Sequence, residues 1–133
     1  KKYMANPDIV DVATINAESV AFTLTATTTT TLLTVSADVV LKVNSIHAAN
    51  DDGTNDATIS LEVAKADYTP AGVANFTTSG TFILAKTISV PAGTALSILD
   101  KPIYLMEGDV LKGGASAAND IDILISYEVI NDA

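Results

Sequence analysis

From Phe82 to Ile130 the chain is cut into short apolar or alternating runs, with a turn signal roughly every eight to twelve residues. Ile88, Val90, Leu96, Ile98, Ile103, Leu105, Val110, Leu111, Ile121, Ile123 and Ile125 supply the apolar positions. The breaks fall at Pro91 and Gly93, at Asp100 and Pro102, at Glu107 through Asp109, and at Asn119 and Asp120. This spacing excludes a helical domain. It predicts an all-β protein, an antiparallel β-sandwich of jelly-roll-like or Ig-like type with about eight strands.

The first half of the chain follows the same logic. Asn6, Pro7 and Asp8 make a turn-like opening, so residues 1–8 read as an N-terminal arm and residues 9–133 as a single β-sandwich domain. Residues 9–15 and 20–26 alternate as two separate strands. The threonine run 27–31 reads as an extended, solvent-facing connection or strand edge, because the β-branch favours extension and the hydroxyls bond water. Residues 32–36, 39–48 and 57–64 read as further strands. In the second of these, strict alternation places Val39, Leu41, Val43 and Ser45 on one face and Val40, Lys42, Asn44 and Ile46 on the other. Ile59, Leu61 and Val63 read as inward, with Ser60 and Glu62 outward. Asn50, Asp51, Asp52 and Gly53 are the strongest turn signal, so residues 39–64 are expected to form a β-hairpin with a polar tip. Residues 67–80 form the longest irregular stretch, a surface loop whose Tyr68 and Phe76 are expected to fold back onto the sheet edge.

Charge narrows the functional classes. Acidic residues number 16 against 7 basic ones, every basic residue is lysine, and the net charge is −9. A chain with no arginine and this charge repels a phosphate backbone and lacks the bidentate reader of guanine edges, so no nucleic-acid partner is expected. No run approaches the length of a membrane-spanning helix, and the opening residues lack the apolar core of a secretory signal. Met4, preceded by Lys1, Lys2 and Tyr3, is a candidate natural start. The absence of cysteine excludes disulfides, thiolate metal sites and cysteine nucleophiles within this sequence. Charged residues make up only 17%, and a surface poor in charge favours interfaces.

The chemistry-bearing residues are few. His47 is the one histidine and reads as an ordinary strand residue, not a ligand. Asp51, Asp52 and Asp56 offer oxygens that calcium accepts, but the EF-hand spacing and its distal glutamate are missing, and a solvated tip is the simpler reading. Glu107 and Asp109 invite a paired-carboxylate reading, yet between two strands the letters Glu-Gly-Asp write a polar turn with Gly108 at an unusual φ. Gly113 and Gly114 are too short a motif to cradle a phosphate and read as a bulge or bend. No catalytic, cofactor or metal residues are assigned, no cofactor is expected, and the chain reads as a non-enzyme.

At Val43 to Asn50, and more sharply at Leu84 to Gly93, Leu99 to Leu105, Glu107 to Asp109, Ala115 to Asp120 and Ile125 to Glu128, the chain resembles small virion structural proteins of tailed bacteriophages. The resemblance covers about two-thirds of the chain, chiefly residues 39–130, and its motifs are turns and strands, specific as a set. It implies a capsid decoration, or cement, protein on the capsid exterior of the virion, binding the major capsid protein and self-associating, by analogy as a homotrimer. It carries no catalytic residues. The alternative within the same class is a tail, neck or fibre-associated virion protein. A carbohydrate-binding sandwich would have to use Tyr68, Phe76 and Tyr104 as its rings, and an enzyme would have to use Glu107.

Overall fold

A computed structural model describes residues 12–70, 72–99 and 101–131. The arm assigned to residues 1–8 lies outside them. The described residues form nine strands: β1 (Thr14–Thr23), β2 (Thr30–Thr34), β3 (Val39–Asn50), β4 (Ala57–Tyr68), β5 (Thr78–Val90), β6 (Ala95–Leu99), β7 (Ile103–Leu105), β8 (Val110–Ala115) and β9 (Ile121–Asn131). One sheet has the order β1-β9-β3-β6, with β7 also paired to β3; the other has the order β2-β8-β4-β5. All pairings are antiparallel. Since β6 and β7 lie end to end along β3, they act as one interrupted strand, and the two four-stranded layers have jelly-roll connectivity. The expected sandwich is therefore present, and of the two types expected it is the jelly roll.

The core is aliphatic and follows the period-two pattern. Ile121, Ile123 and Ile125 of β9 are buried against Val43, Ile46 and Ala48 of β3, and Ile59, Leu61 and Val63 of β4 face them from the other sheet. Val90, Leu105 and Leu111 complete it as read from the alternation. Ile88, expected with them, is exposed at the edge of its sheet.

Four local expectations are corrected. Residues 14–23 form one continuous strand, paired along its length with β9, where two separate strands were expected. The hairpin expected over residues 39–64 does not exist: β3 and β4 lie in opposite sheets, and the polar stretch between them is a crossover. The within-sheet hairpin is β4–β5, closed by the pairing of Tyr68 with Thr78. Strict alternation in β3 fails at Asn44, where a register shift between Val43 and Ser45 inserts an extra residue. Leu41 and Val43 point inward before it, and Ile46 and Ala48 after it. Finally, β8 pairs with β4 without a shift through Gly113 and Gly114; the irregularity lies on β2, between Thr31 and Leu33.

Candidate functional site

Three places gather polar or apolar side chains beyond what the core requires. The first is the crossover corner between β3 and β4. Asn50 ends β3 and is buried. Its Nδ2 donates to the carbonyls of Asn55 (2.8 Å) and Val90 (2.9 Å), and its Oδ1 accepts from the Asp52 amide at 2.9 Å. The chain crosses between sheets here twice, from β3 to β4 and from β5 to β6, and one amide side chain ties both crossings together. The acidic residues serve the same corner. Asp52 accepts from the amides of Thr54 (2.7 Å) and Asn55 (3.2 Å) and from Asn55 Nδ2 (2.9 Å), and these bonds hold its carboxyl below the usual carboxylate range. Asp56 accepts from the Ala92 amide at 2.9 Å. Asp52 and Asp56 thus spend lone pairs on the chain itself, and the described residues contain no group of three or more carboxylate or imidazole side chains arranged to hold a metal.

The second place is the Glu-Gly-Asp turn between β7 and β8. Gly108 has φ +83°, the left-handed conformation expected of it, and the Asp109 amide donates to Met106 O at 3.0 Å to close the turn. The expectation of a simple polar turn is corrected in one respect: Glu107 and Asp109 are both buried. Asp109 accepts from the amides of Ala66 and Met106, each at 2.9 Å, and from the ammonium of Lys65. Lys65 also lies 5.1 Å from the ring centre of Tyr68. Glu107 accepts a long bond from the Asp38 amide, at 3.4 Å. The turn is bound as well to Val35, the residue that follows β2, through Gly108 N to Val35 O and Val35 N to Asp109 O. The two carboxylates are structural keystones, Asp109 tying the turn to β4 and Glu107 tying it to Asp38.

The third place is the β5 flank. β5 ends its sheet, and Phe82, Ile83, Leu84 and Ile88 are all exposed large apolar residues there, Phe82 at 54% and Ile83 at 57%. Phe82 pairs with Val63 and Ile88 with Ile59, so both share the face that forms the core, yet lie beyond the cover of the other sheet. The loop feeding β5 adds Val73 and Phe76, both exposed; Phe76 does not fold back onto the sheet edge as expected. Tyr68 does stay half-buried, at the end of β4.

The remaining sequence candidates are dispersed. His47 is exposed on β3, opposite Leu124. Tyr104, at 58% exposure, sits opposite Lys42 on the other sheet, so Tyr68, Phe76 and Tyr104 are spread over different elements and form no shared platform among the described residues. Two surface depressions among the described residues are small. One of ≈ 220 Å³ is lined by Phe22, Thr25, Thr30 and Leu32 among others, and one of ≈ 190 Å³ by hydroxyls including Thr58, Ser60 and Ser116. Both fall short of the roughly 300–1,000 Å³ of ordinary small-molecule sites. The β5 flank was missed in the sequence because Ile88 and Leu84 carry the same letters whether a second sheet covers them or not.

No protein-family model and no curated protein matches the chain. Among solved structures it is similar to a protein of the disulfide-linked pili of Bacillus endospore appendages, at 18% identity over 90% of both chains with a TM-score of 0.45. It is also similar to a chain of the T13 IBDV viral particle, at 12% identity and a TM-score of 0.46, covering 90% of this chain and 32% of that one. The present chain thus spans about a third of the length of that viral chain. No function passes from either to this chain.

Proposed function

We propose that this chain is a non-enzymatic structural subunit of a virion, a decoration protein that binds the major capsid protein on the outside of a tailed-phage head and self-associates, as a homotrimer. The observation that carries the reading is the β5 flank. Phe82, Ile83, Leu84 and Ile88 leave four large apolar side chains in water on one edge strand, Phe82 and Ile88 on the core-side face where a partner would complete the core and Ile83 on the outer face across from Glu62. The jelly roll, a fold that recurs in capsid and lectin domains, is compatible with a rigid building block, and the turn motifs that resemble phage virion proteins supply the finer placement. The two keystone corners support the same role, because they stiffen both ends of the sandwich without creating a pocket. A chain with only 17% charged residues leaves much of its surface uncharged, which favours packing against other subunits.

The test is location and copy number in purified virions. Antibody labelling or cryo-electron microscopy is expected to find the protein on the shell lattice, in hundreds of copies by quantitative mass spectrometry. Density below the portal, with tens of copies or fewer, would instead make it a tail or neck component. Absence from particles, together with turnover of a small compound lost in Glu107→Gln, would overturn the reading.

A further inference from the structure

Lys65 follows Ile59, Leu61 and Val63 on β4 at a period of two, so a lysine stands where the alternation calls for an inward apolar residue. One step beyond the last β4–β8 pair, Ala64 with Val110, it meets Asp109. Asp109 is wholly out of water, and the Lys65 side chain is only 18% exposed. The other lysine–carboxylate pair among the described residues, Lys42 with Glu128, is looser at 3.7 Å and wetter, at 33% and 35% exposure. Direct contact and exclusion of water thus coincide at Lys65 and Asp109. The carboxylate is also fixed in orientation. The Ala66 amide donates to its Oδ1 and the Met106 amide to its Oδ2, each at 2.9 Å, and Lys65 Nζ lies against Oδ2. An amine and a carboxyl group are therefore held together, buried, with hydrogen-bond donors on both carboxyl oxygens.

We propose that Lys65 and Asp109 condense to an intramolecular amide, a covalent staple between β4 and the turn that leads into β8. A proton passes from Nζ to Oδ2 within the contact, leaving a neutral amine beside a carboxylic acid. The amine lone pair attacks Cγ, and the charge that develops on Oδ1 falls on the Ala66 N–H. A second proton from the nitrogen goes to the Oδ2 hydroxyl, which departs as water, and the carbonyl re-forms on Oδ1. One C–N bond forms, one C–O bond breaks, and no oxidant, reductant or cofactor takes part. In water the two groups stay ionised because each is well solvated. Here both have lost most of that solvation, and the amide removes both charges. Holding the reactants in contact is equivalent to an effective concentration of about 10⁵ M or more. The product carbonyl keeps its bond from Ala66 and has a second lone pair for the Met106 amide. The staple closes a loop across 44 residues in a chain that has no cysteine to form a disulfide, and it does not depend on the assembly role proposed above.

Intact-mass spectrometry of the full-length chain reads the bond directly. Freshly folded protein should carry the ion pair. On standing for several days at neutral pH, a species one water lighter than the 13.7 kDa chain is expected to accumulate and to persist after denaturation. Fragmentation should place the lost water between Lys65 and Asp109. Lys65→Arg keeps a cation against Asp109 without a comparable nucleophile, so it should fold like the parent by circular dichroism and hold its full mass. Asp109→Asn should reach the same amide by losing ammonia in place of water, and its light species should match that of the parent in mass. A parent that keeps its full mass over the same period overturns the staple and leaves a plain ion pair. So does a water loss that survives in Lys65→Arg and maps to Asp52 and Gly53, where an aspartate before a glycine can cyclise onto its own backbone.

Discussion

Asp109 is wholly buried and its carboxylate is held by the ammonium of Lys65, which reaches it from β4, the strand paired with β8. The pair is part of a larger cluster, because the amides of Ala66 and Met106 donate to the same carboxylate. Removing the acceptor leaves a largely buried ammonium and two amides without their partner. Asp109→Ala is expected to cost about 3–5 kcal/mol in urea unfolding. Lys65→Met should cost less, since the two amide donors remain, and Asp109→Ala with Lys65→Met should be no worse than Asp109→Ala alone. Additive losses would show that the two residues act independently.

Gly113 and Gly114 are glycines for want of space, and they differ in what fills it. A Cβ on Gly113 would stand 2.6 Å from Leu61 Cδ2 and 2.8 Å from Leu32 Cδ1, the movable ends of two side chains. On Gly114 it would stand 2.6 Å from the carbonyl oxygen of Thr28 and 2.8 Å from its carbon. Backbone yields less than leucine tips. Gly114→Ala should therefore cost about 2–3 kcal/mol and Gly113→Ala about 1 kcal/mol, measured by the same unfolding curves.

Alternation made the centre of the sandwich legible: Ile59, Leu61 and Val63, like Ile121, Ile123 and Ile125, point where a period of two places them. It failed in β3 because one inserted residue at Asn44 reverses every later side chain, and no letter marks the insertion. The turn at residues 51–56 was equally legible as a turn. What it does not state is the sheet that the next strand joins, and in a jelly roll the answer is the opposite one. The Glu-Gly-Asp letters likewise predict the positive φ of Gly108 but not the burial of Asp109, since its partner Lys65 lies 44 residues away. Long-range partners decide such points, and local pattern is silent on them.

Ile123 and Leu124 separate the two faces of one strand. Ile123 is buried in β9 between Phe22 of β1 and Ala48 of β3, whereas Leu124 points outward and is 45% exposed. Ile123→Asp places an unpaired charge in the aliphatic core and should cost at least about 4 kcal/mol. Leu124→Asp should stay within about 1 kcal/mol of the parent. Equal losses would mean that the phase of β9 is wrong.

Asp52 links the acidic corner to pH. The side-chain amide of Asn55 contributes most to holding its carboxyl below the usual range, followed by the backbone amides of Thr54 and Asn55. A carboxyl depressed in the folded state binds its proton more readily when unfolded. Its contribution to stability is therefore complete above the ordinary carboxylate pKa of about 4 and fades as pH falls through the lower, folded value. A carboxyl-detected NMR titration should place the Asp52 midpoint below that of a free aspartate. In Asn55→Ala the midpoint should rise toward the ordinary value but stop short of it, because the two backbone donors remain. The acid limb of the stability curve should flatten in the same variant. An Asp52 midpoint unchanged by Asn55→Ala would show that the corner is held by the backbone bonds alone, leaving the crossover to Asn50 and Asp56.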